Sequence, residues 1–239
     1  MSLRPLEPWV KGNESITPEN FYRNLKPDIE LGVFVGLDKA IDLYLANTIE
    51  AGNLYDSWKV NKEYIEKVYD MMGINKNDNY LLDNEEKQWI LEKLGKPPKS
   101  GHNLYFITIY NEIEEKLVYI GKSESKRSRF MNGHLAALKL HNPVYQNYNK
   151  RIYFGTAVFL SKNEYIPLEF IRPYMLAKKY LGNIEAFLID RLKPELNVKY
   201  ESIGELKNLS LVHIQNFSEE PIFMRDCFVY SGCDGITSR

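Results

Sequence analysis

Two adjacent prolines at positions 97 and 98 divide this sequence into parts with different patterns. The segment Lys96-Pro97-Pro98-Lys99-Ser100-Gly101 cannot continue a helix, because proline lacks a backbone N–H donor and its ring clashes with the preceding turn. Before this segment apolar residues recur mostly at helical spacing, and after it short β-rich runs alternate with polar turns. The sequence therefore predicts a helical N-terminal domain over 1–98, a mixed domain over 99–203 and a C-terminal tail over 204–239.

The N-terminal part is predicted to be helical. A short helix is expected after Thr17-Pro18-Glu19, where an N-cap residue precedes a proline. The broad apolar face of Leu31 to Ala51 predicts a buried helix, and 54–72 has the same helical spacing. A further helix is expected after Asp83, because Glu86 completes a capping box.

The part after the prolines is predicted to mix strands and helices. Three runs are rich in β-branched and aromatic residues and are predicted strands: 103–110, 117–121 and 151–159. Three stretches have helical patterns, the last ended by a proline: 126–141, 167–180 and 183–192. This order indicates the α+β class, with a small, mainly antiparallel three-stranded sheet flanked by helices. The tail contributes one apolar run, Leu209 to Ile214.

Composition excludes several classes of protein. With 44% apolar and 13% aromatic residues in 239, the chain can bury a core and is not disordered as a whole. No apolar run approaches the ~18–20 residues of a spanning helix, and the start lacks a signal-peptide pattern. The two cysteines, Cys227 and Cys233, have no histidine at metal-ligand spacing, so neither a disulfide framework nor a zinc site is predicted. We expect a soluble protein of the cytoplasm.

The formal net charge of -1 conceals a strong local asymmetry. Residues 122–180 contain 11 basic and 3 acidic residues, a net charge of +8, whereas the rest of the chain has a net charge of -9. Tyrosines and asparagines are interleaved with these basic residues, and such side chains stack on bases or bind phosphates. This pattern indicates a polyanionic partner, although a solvated basic face has the same composition.

Five short motifs follow one another within 103–197. They are Asn103-Leu104-Tyr105-Phe106-Ile107, Val118-Tyr119-Ile120-Gly121-Lys122-Ser123, Ser128-Arg129-Phe130-Met131-Asn132-Gly133-His134, Ile184-Glu185-Ala186-Phe187-Leu188-Ile189 and Lys193-Pro194-Glu195-Leu196-Asn197. In this order they resemble the motifs of the GIY-YIG nuclease superfamily, and the resemblance covers about residues 101–200. It implies an endonuclease that hydrolyses phosphodiester bonds of double-stranded DNA with Mg²⁺ or Mn²⁺. Where the family usually has glycine in its first motif this chain has Asn103, which is interpreted as tolerable because asparagine accepts left-handed backbone.

The resemblance gives roles to the charged motif residues, and hydrolysis of a phosphodiester needs a metal and cations for the developing charge. Glu185, a carboxylate on an otherwise apolar helix, is the expected metal ligand. Arg129 would hold a phosphate oxygen. Because Arg129 and His134 are five residues apart, they do not share a face of an ideal helix, and Arg127 is a competing candidate.

The general base is assigned only by resemblance, to Tyr105 or Tyr119. A phenol has a pKa near 10, so it needs a nearby cation to act as a base, and Lys122 or the metal could supply one. Tyr105 is favoured, with His134 accepting or relaying the proton. Asn197 would donate or accept hydrogen bonds within the site.

The layout favours one branch of the family without deciding it. Homing members usually place the nuclease first, whereas here about 100 residues precede the motifs, so a sequence-specific restriction enzyme is expected. The Tyr- and Asn-rich loop 142–150 would read bases, and cutting both strands favours a homodimer. Alternatives are a homing or repair endonuclease, a catalytically inactive DNA-binding protein of the same fold, or an unrelated α+β domain.

Overall fold

The structure is a computed structural model, and parts of the chain are described. These are residues 32–47, 57–74, 83–98, 101–123, 134–161, 164–168, 171, 174–197, 209, 211–219, 223–231 and 236–238. The predicted helix after Thr17-Pro18-Glu19 and the first part of the predicted helix 126–141 lie outside these residues.

The described residues form strands and α-helices in a mixed order. The strands are β1 (Val33–Asp42), β2 (Leu104–Tyr110), β3 (Glu115–Lys122), β4 (Asn149–Ser161), β5 (Glu164–Pro167), β6 (Leu211–Asn216), β7 (Asp226–Tyr230) and β8 (Ile236–Ser238). The α-helices are α1 (Ser57–Met72), α2 (Asn84–Leu94), α3 (Leu135–Lys139) and α4 (Tyr174–Leu192). Two 3₁₀ turns, Leu43–Asn47 and Pro143–Tyr145, connect some of these elements.

All the described strands belong to one mixed sheet. Its order is β3-β2-β4-β1-β6-β7-β8, and β5 pairs with β4 outside this path. The pairs are antiparallel except for β1 with β6, which is parallel. The predicted small three-stranded sheet with a helical N-terminal domain is therefore wrong. The three predicted strands are neighbours in the order β3-β2-β4, but the sheet continues far beyond them.

The largest local error of the sequence prediction is the helix expected over Leu31 to Ala51. This stretch contains β1, which lies between β4 and β6 in the middle of the sheet. Five consecutive residues from Val33 to Leu37 are buried. A central strand is covered on both faces, so its apolar run is continuous and cannot be distinguished from a buried helix by periodicity.

Other predicted elements are present with changed limits. The capping box of α2 is formed, because Asp83 Oδ1 accepts from the Glu86 N–H at 2.8 Å and Glu86 Oε2 accepts from the Asp83 N–H at 2.9 Å. The two helices expected over 167–180 and 183–192 are one helix, α4, which continues through Gly182. The predicted domain limits after residues 98 and 203 stay predictions, and strands from all three predicted parts share the sheet.

The two faces of the sheet pack against different partners. On the helix face, Leu104, Phe106 and Ile120 pack with the apolar stripe of α4, which includes Leu181 and Leu188. On the opposite face, here called the tyrosine face, α3 covers a smaller cluster that includes Tyr105, Ile107 and Phe154. Successive side chains of a strand point to alternate faces of the sheet. The ends of β2 and β3 therefore place side chains on both faces.

Candidate active site

Three of the predicted site residues contact one another on the tyrosine face. The hydroxyl of Tyr105 lies 2.9 Å from Nε2 of His134. The ring of Tyr119 stacks on that of Tyr105 with 6.0 Å between centroids, and it meets the His134 ring edge-on at 5.1 Å. Tyr105 and His134 are buried, whereas Tyr119 is partly exposed. The sheet and α3 thus bring together residues from three separate motifs.

The position of His134 fixes which of its ring nitrogens faces Tyr105. His134 is the N-cap of α3, and its Nδ1 accepts a hydrogen bond from the Ala136 N–H at 3.2 Å. Because Nδ1 is an acceptor, the neutral ring has its proton on Nε2 and donates it to the hydroxyl oxygen of Tyr105. In this arrangement the imidazole supports negative charge on the Tyr105 oxygen.

Gly121 provides the space that the Tyr105 ring occupies. Tyr105 and Gly121 are direct partners across the β2–β3 pair. A Cβ added at Gly121 would lie 2.3 Å from both Cζ and Oη of Tyr105. No side chain fits there, because real Cβ atoms do not approach heavy atoms this closely. The glycine of the second motif is therefore needed here for space.

Lys122 and Glu185 form a second group, on the helix face. Lys122 Nζ lies 3.8 Å from Glu185 Oε2, and the Glu185 side chain is 7% exposed. Glu185 faces the sheet because it lies four residues after Leu181 and three before Leu188, both of which belong to the buried stripe of α4. A buried carboxylate needs a cation nearby, and the lysine supplies one.

A glycine in the middle of α4 makes room for that lysine. An added Cβ at Gly182 would lie 2.9 Å from Lys122 Nζ. Glycine weakens a helix interior relative to alanine, so its presence here has a local reason. The sequence predicts a break at residues 181–182 between two helices, so this role of Gly182 was not predicted; only the motif context of Lys122 could have suggested it.

The two groups are separated by the pleat of β3. Gly121 and Lys122 are consecutive, so their side-chain directions point to opposite faces. Gly121 pairs with Tyr105, and Lys122 pairs with Leu104, which packs with α4. The site is therefore divided between the two faces at the end of β3.

Asn197, for which hydrogen bonds within the site are predicted, binds the backbone of β3. Its Oδ1 accepts from the Ile120 N–H at 2.9 Å, and its Nδ2 donates to the Ile120 carbonyl at 2.8 Å. The neighbouring Leu196 N–H donates to the Val118 carbonyl at 3.0 Å. The segment after α4 thus binds the outer edge of β3 and holds the strand that contains Tyr119 and Lys122.

Asn103 makes a similar backbone clamp. Its Oδ1 accepts from the Ala157 N–H at 2.8 Å, and its own N–H donates to the Gly155 carbonyl at 3.0 Å. The described non-glycine residues with positive φ are Lys193 and Met224, so the left-handed backbone invoked for Asn103 is not used. The asparagine is accommodated because its amide ties the start of β2 to β4.

The predicted site also includes a phosphate-binding arginine and a metal ligand. Arg129 and its competitor Arg127 lie outside the described residues. Among the residues that the structure describes, no three His, Cys, Asp or Glu side chains are grouped to hold a metal ion. The donor set fits Mg²⁺ through Glu185, because this ion is held by one or two carboxylates while water and substrate phosphate oxygens complete its shell.

A buried polar pair that the sequence did not indicate lies near the start of β2. His102 Nε2 contacts Asp38 Oδ1, and their side chains are 3% and 4% exposed. Asp38 is at the point where the β1–β4 register shifts, between Leu37 and Lys39. The partners are 64 residues apart in sequence, so no local pattern could have indicated the pair.

Comparison with known proteins gives no family for this chain. No protein-family model, curated protein or solved structure matches it significantly. Within the described ranges, no helix combines the length and apolar character required to cross a membrane.

Proposed function

We propose that this protein is a Mg²⁺-dependent DNA endonuclease, and that it acts as a sequence-specific restriction enzyme in the cytoplasm. The observation that carries the proposal is the contact of the Tyr105 hydroxyl with His134 beside Tyr119, which lies three residues before Lys122 on β3. Lys122 faces Glu185 on the other side of the same strand end. Side chains from four of the five motifs thus lie around one strand end. Mn²⁺ would serve as an alternative ion.

In the proposed reaction, Tyr105 first loses its hydroxyl proton to solvent, and the resulting phenolate then removes a proton from the attacking water. Its oxygen already accepts the Nε2 proton of His134, and this hydrogen bond favours the phenolate. His134 therefore supports the base rather than accepting the first proton. The partly exposed ring of Tyr119 is the alternative base, since water reaches it directly.

The charge that develops on the phosphate requires cations. Glu185 would hold Mg²⁺, which when bound would supply positive charge to the phosphate oxygens. Lys122, which now neutralises Glu185 at 3.8 Å, would turn toward a phosphate oxygen when the carboxylate binds the ion. Arg129 is proposed to hold a second phosphate oxygen.

The test is cleavage of plasmid and phage DNA with Mg²⁺ or with EDTA. We expect discrete Mg²⁺-dependent fragments from the wild type and a loss of about 10²–10³-fold in Glu185→Gln, which keeps the side-chain shape but removes its charge. Asp190→Asn is the matched control, because Asp190 is exposed on the same helix. Tyr105→Phe and Tyr119→Phe then decide which tyrosine is the base.

The pattern of products separates the alternatives. Discrete fragments support a restriction enzyme, and a single long recognition site supports a homing enzyme. Nicks at lesions or branches support a repair enzyme. Intact DNA with retained binding contradicts the enzyme and supports an inactive DNA-binding protein. A homodimer is expected if both strands are cut in one event, and its mass in solution tests this.

A further inference from the structure

A cavity of about 560 Å³ opens beside β3; none of the predicted catalytic residues lines it, but Val144, Tyr145 and Tyr148 of the predicted base-reading loop do. It lies between the Pro143–Tyr145 turn and the C-terminal end of α4. Apolar side chains contribute much of its lining, among them Leu117, Val118, Leu192 and Phe223. Ligand pockets have volumes of about 300–1,000 Å³, so this space suits a planar ring system of moderate size.

Two tyrosines form part of the wall, and hydrogen bonds fix their rings. Tyr145 Oη donates to Glu195 Oε1 at 2.5 Å, and this bond raises the pKa of Tyr145 to about 12. Tyr148 Oη donates to Glu114 Oε1 at 3.5 Å. Rings that are held in place in this way lose little entropy when a base stacks on them.

Lysines surround the same cavity. Lys116 and Lys193 line it directly. Lys150 Nζ donates to the carbonyl of the lining residue Tyr145 at 2.7 Å. These three ammonium groups outnumber the two carboxylates that bind the tyrosine hydroxyls, and Lys116 Nζ lies 2.7 Å from one of them, Glu114. The charge around the cavity therefore favours an anionic chain at its mouth.

We infer that this cavity accepts one nucleobase of the bound DNA strand, with the flanking phosphates on the surrounding lysines; this inference rests on the proposed function. The lining residue Val118 is followed directly by Tyr119, and one residue of a strand spans about 3.3 Å. A base in the cavity thus belongs to a nucleotide close to the scissile phosphate. It reaches the cavity only when it leaves the stack of the duplex.

The test measures binding of each 2′-deoxynucleoside 5′-monophosphate by saturation-transfer NMR, with deoxyribose 5-phosphate as the probe without a base. We expect transfer to the base protons of at least one nucleotide. Tyr148→Leu keeps apolar bulk but removes the stacking ring, so affinity is expected to fall by about tenfold. Tyr44→Leu, at a 77% exposed position of the Leu43–Asn47 turn that does not line the cavity, is the matched control and should leave affinity unchanged.

A second pair of variants avoids any change in packing. Val144 lines the cavity and is 67% exposed, so Val144→Glu adds a negative charge at its mouth and should weaken nucleotide binding. Val60→Glu, at a 45% exposed position of α1, is its control. The inference is overturned if no base protons receive saturation, or if each variant and its control bind alike. If the wild-type protein cuts plasmid but binds no nucleotide, the assignment of the cavity is wrong and the proposed nuclease activity stands. If it binds a nucleotide but does not cut, only the proposed nuclease activity is wrong.

Discussion

The tyrosine face and the helix face of β3 hold two groups of candidate site residues with different physical character. On the tyrosine face, Tyr105 and His134 are buried neutral rings whose positions are fixed by stacking and by hydrogen bonds. On the helix face, Lys122 and Glu185 are charged, and the lysine side chain is 22% exposed. The first group suits proton transfer, which needs exact placement, and the second suits stabilisation of charge, which tolerates movement of a long side chain.

This difference implies that the two groups respond differently to the same kind of mutation. Each group lies against a glycine, Gly121 on one face and Gly182 on the other. Adding one methyl group at either position disturbs one group and leaves the other in place. Cleavage rate and stability, measured together, then show which face performs which part of the reaction.

The largest effect is expected from Gly121→Ala. The new Cβ would lie 2.3 Å from Cζ of Tyr105, and the buried ring has no room to withdraw. We expect cutting to fall by more than about 10²-fold because the ring is displaced. Stability should fall by about 1–3 kcal/mol through overpacking, measured by urea unfolding. Wild-type cutting by this variant would show that the position of Tyr105 is irrelevant.

His134→Asn separates the two roles of the histidine. Asparagine is a favourable N-cap, so α3 should keep its start and stability should change by less than about 1 kcal/mol. The shorter side chain loses the hydrogen bond to Tyr105, and we expect cutting to fall by about 10²-fold. His134→Ala, which also loses the cap, serves as the comparison. Equal activity of wild type and His134→Asn would remove the imidazole from the reaction.

Gly182→Ala should have a smaller effect on cutting and the opposite effect on stability. Its Cβ meets only the flexible end of Lys122, at 2.9 Å, and the lysine can move aside. Alanine favours the helix interior by up to about 1 kcal/mol, and the flexible lysine can shift while its ammonium still neutralises Glu185, so α4 should become more stable. We expect cutting to fall by about tenfold or less, since one displaced ammonium accounts for about 1 kcal/mol. A variant that is less stable than the wild type would contradict this account of the glycine.

Tyr64→Phe, in the separate cluster between α1 and α2, is expected to leave the cutting rate unchanged. Tyr64 Oη donates to the Gly95 carbonyl at 3.0 Å, and burial raises the pKa of Tyr64 to about 12. The folded state therefore keeps this proton while the unfolded chain loses it near pH 10, so stability falls as the pH rises from about 10 to about 12. Tyr64→Phe should be about 1 kcal/mol less stable at pH 7 but should lose less stability over that alkaline range, as followed by circular dichroism.

The parts of the fold that sequence reasoning located are those with local signals. β2 and β3 are joined by a short polar turn in which Asn111 Oδ1 accepts from the N–H groups of Ile113 and Glu114. The turn residue and the flanking β-rich runs are visible in a window of about twenty residues. β1 has no such window, because both of its partners, β4 and β6, lie more than a hundred residues away. Its continuous burial also removes the alternation that marks a half-buried strand.

The candidate site shows the same difference between features with a local sequence signal and features that depend on distant parts of the chain. The motif order predicts Tyr105, Tyr119 and His134 as site residues, and the fold brings these three side chains into contact. The actual bonds of Asn197 could not be predicted, because they depend on where the chain runs after α4. Gly182 was likewise missed, since its function is to leave space for a lysine that is sixty residues earlier in the sequence.

The parallel pairing of β1 with β6 has a consequence for how the chain reaches its native state. About 170 residues separate these two strands. Closing so long a loop costs conformational entropy before the strand pairing contributes any favourable free energy. We expect slow folding, and during synthesis β1 leaves the ribosome long before its parallel partner exists. One apolar strand edge is then open to other chains, so low temperature and slow expression should favour correctly folded protein over aggregates.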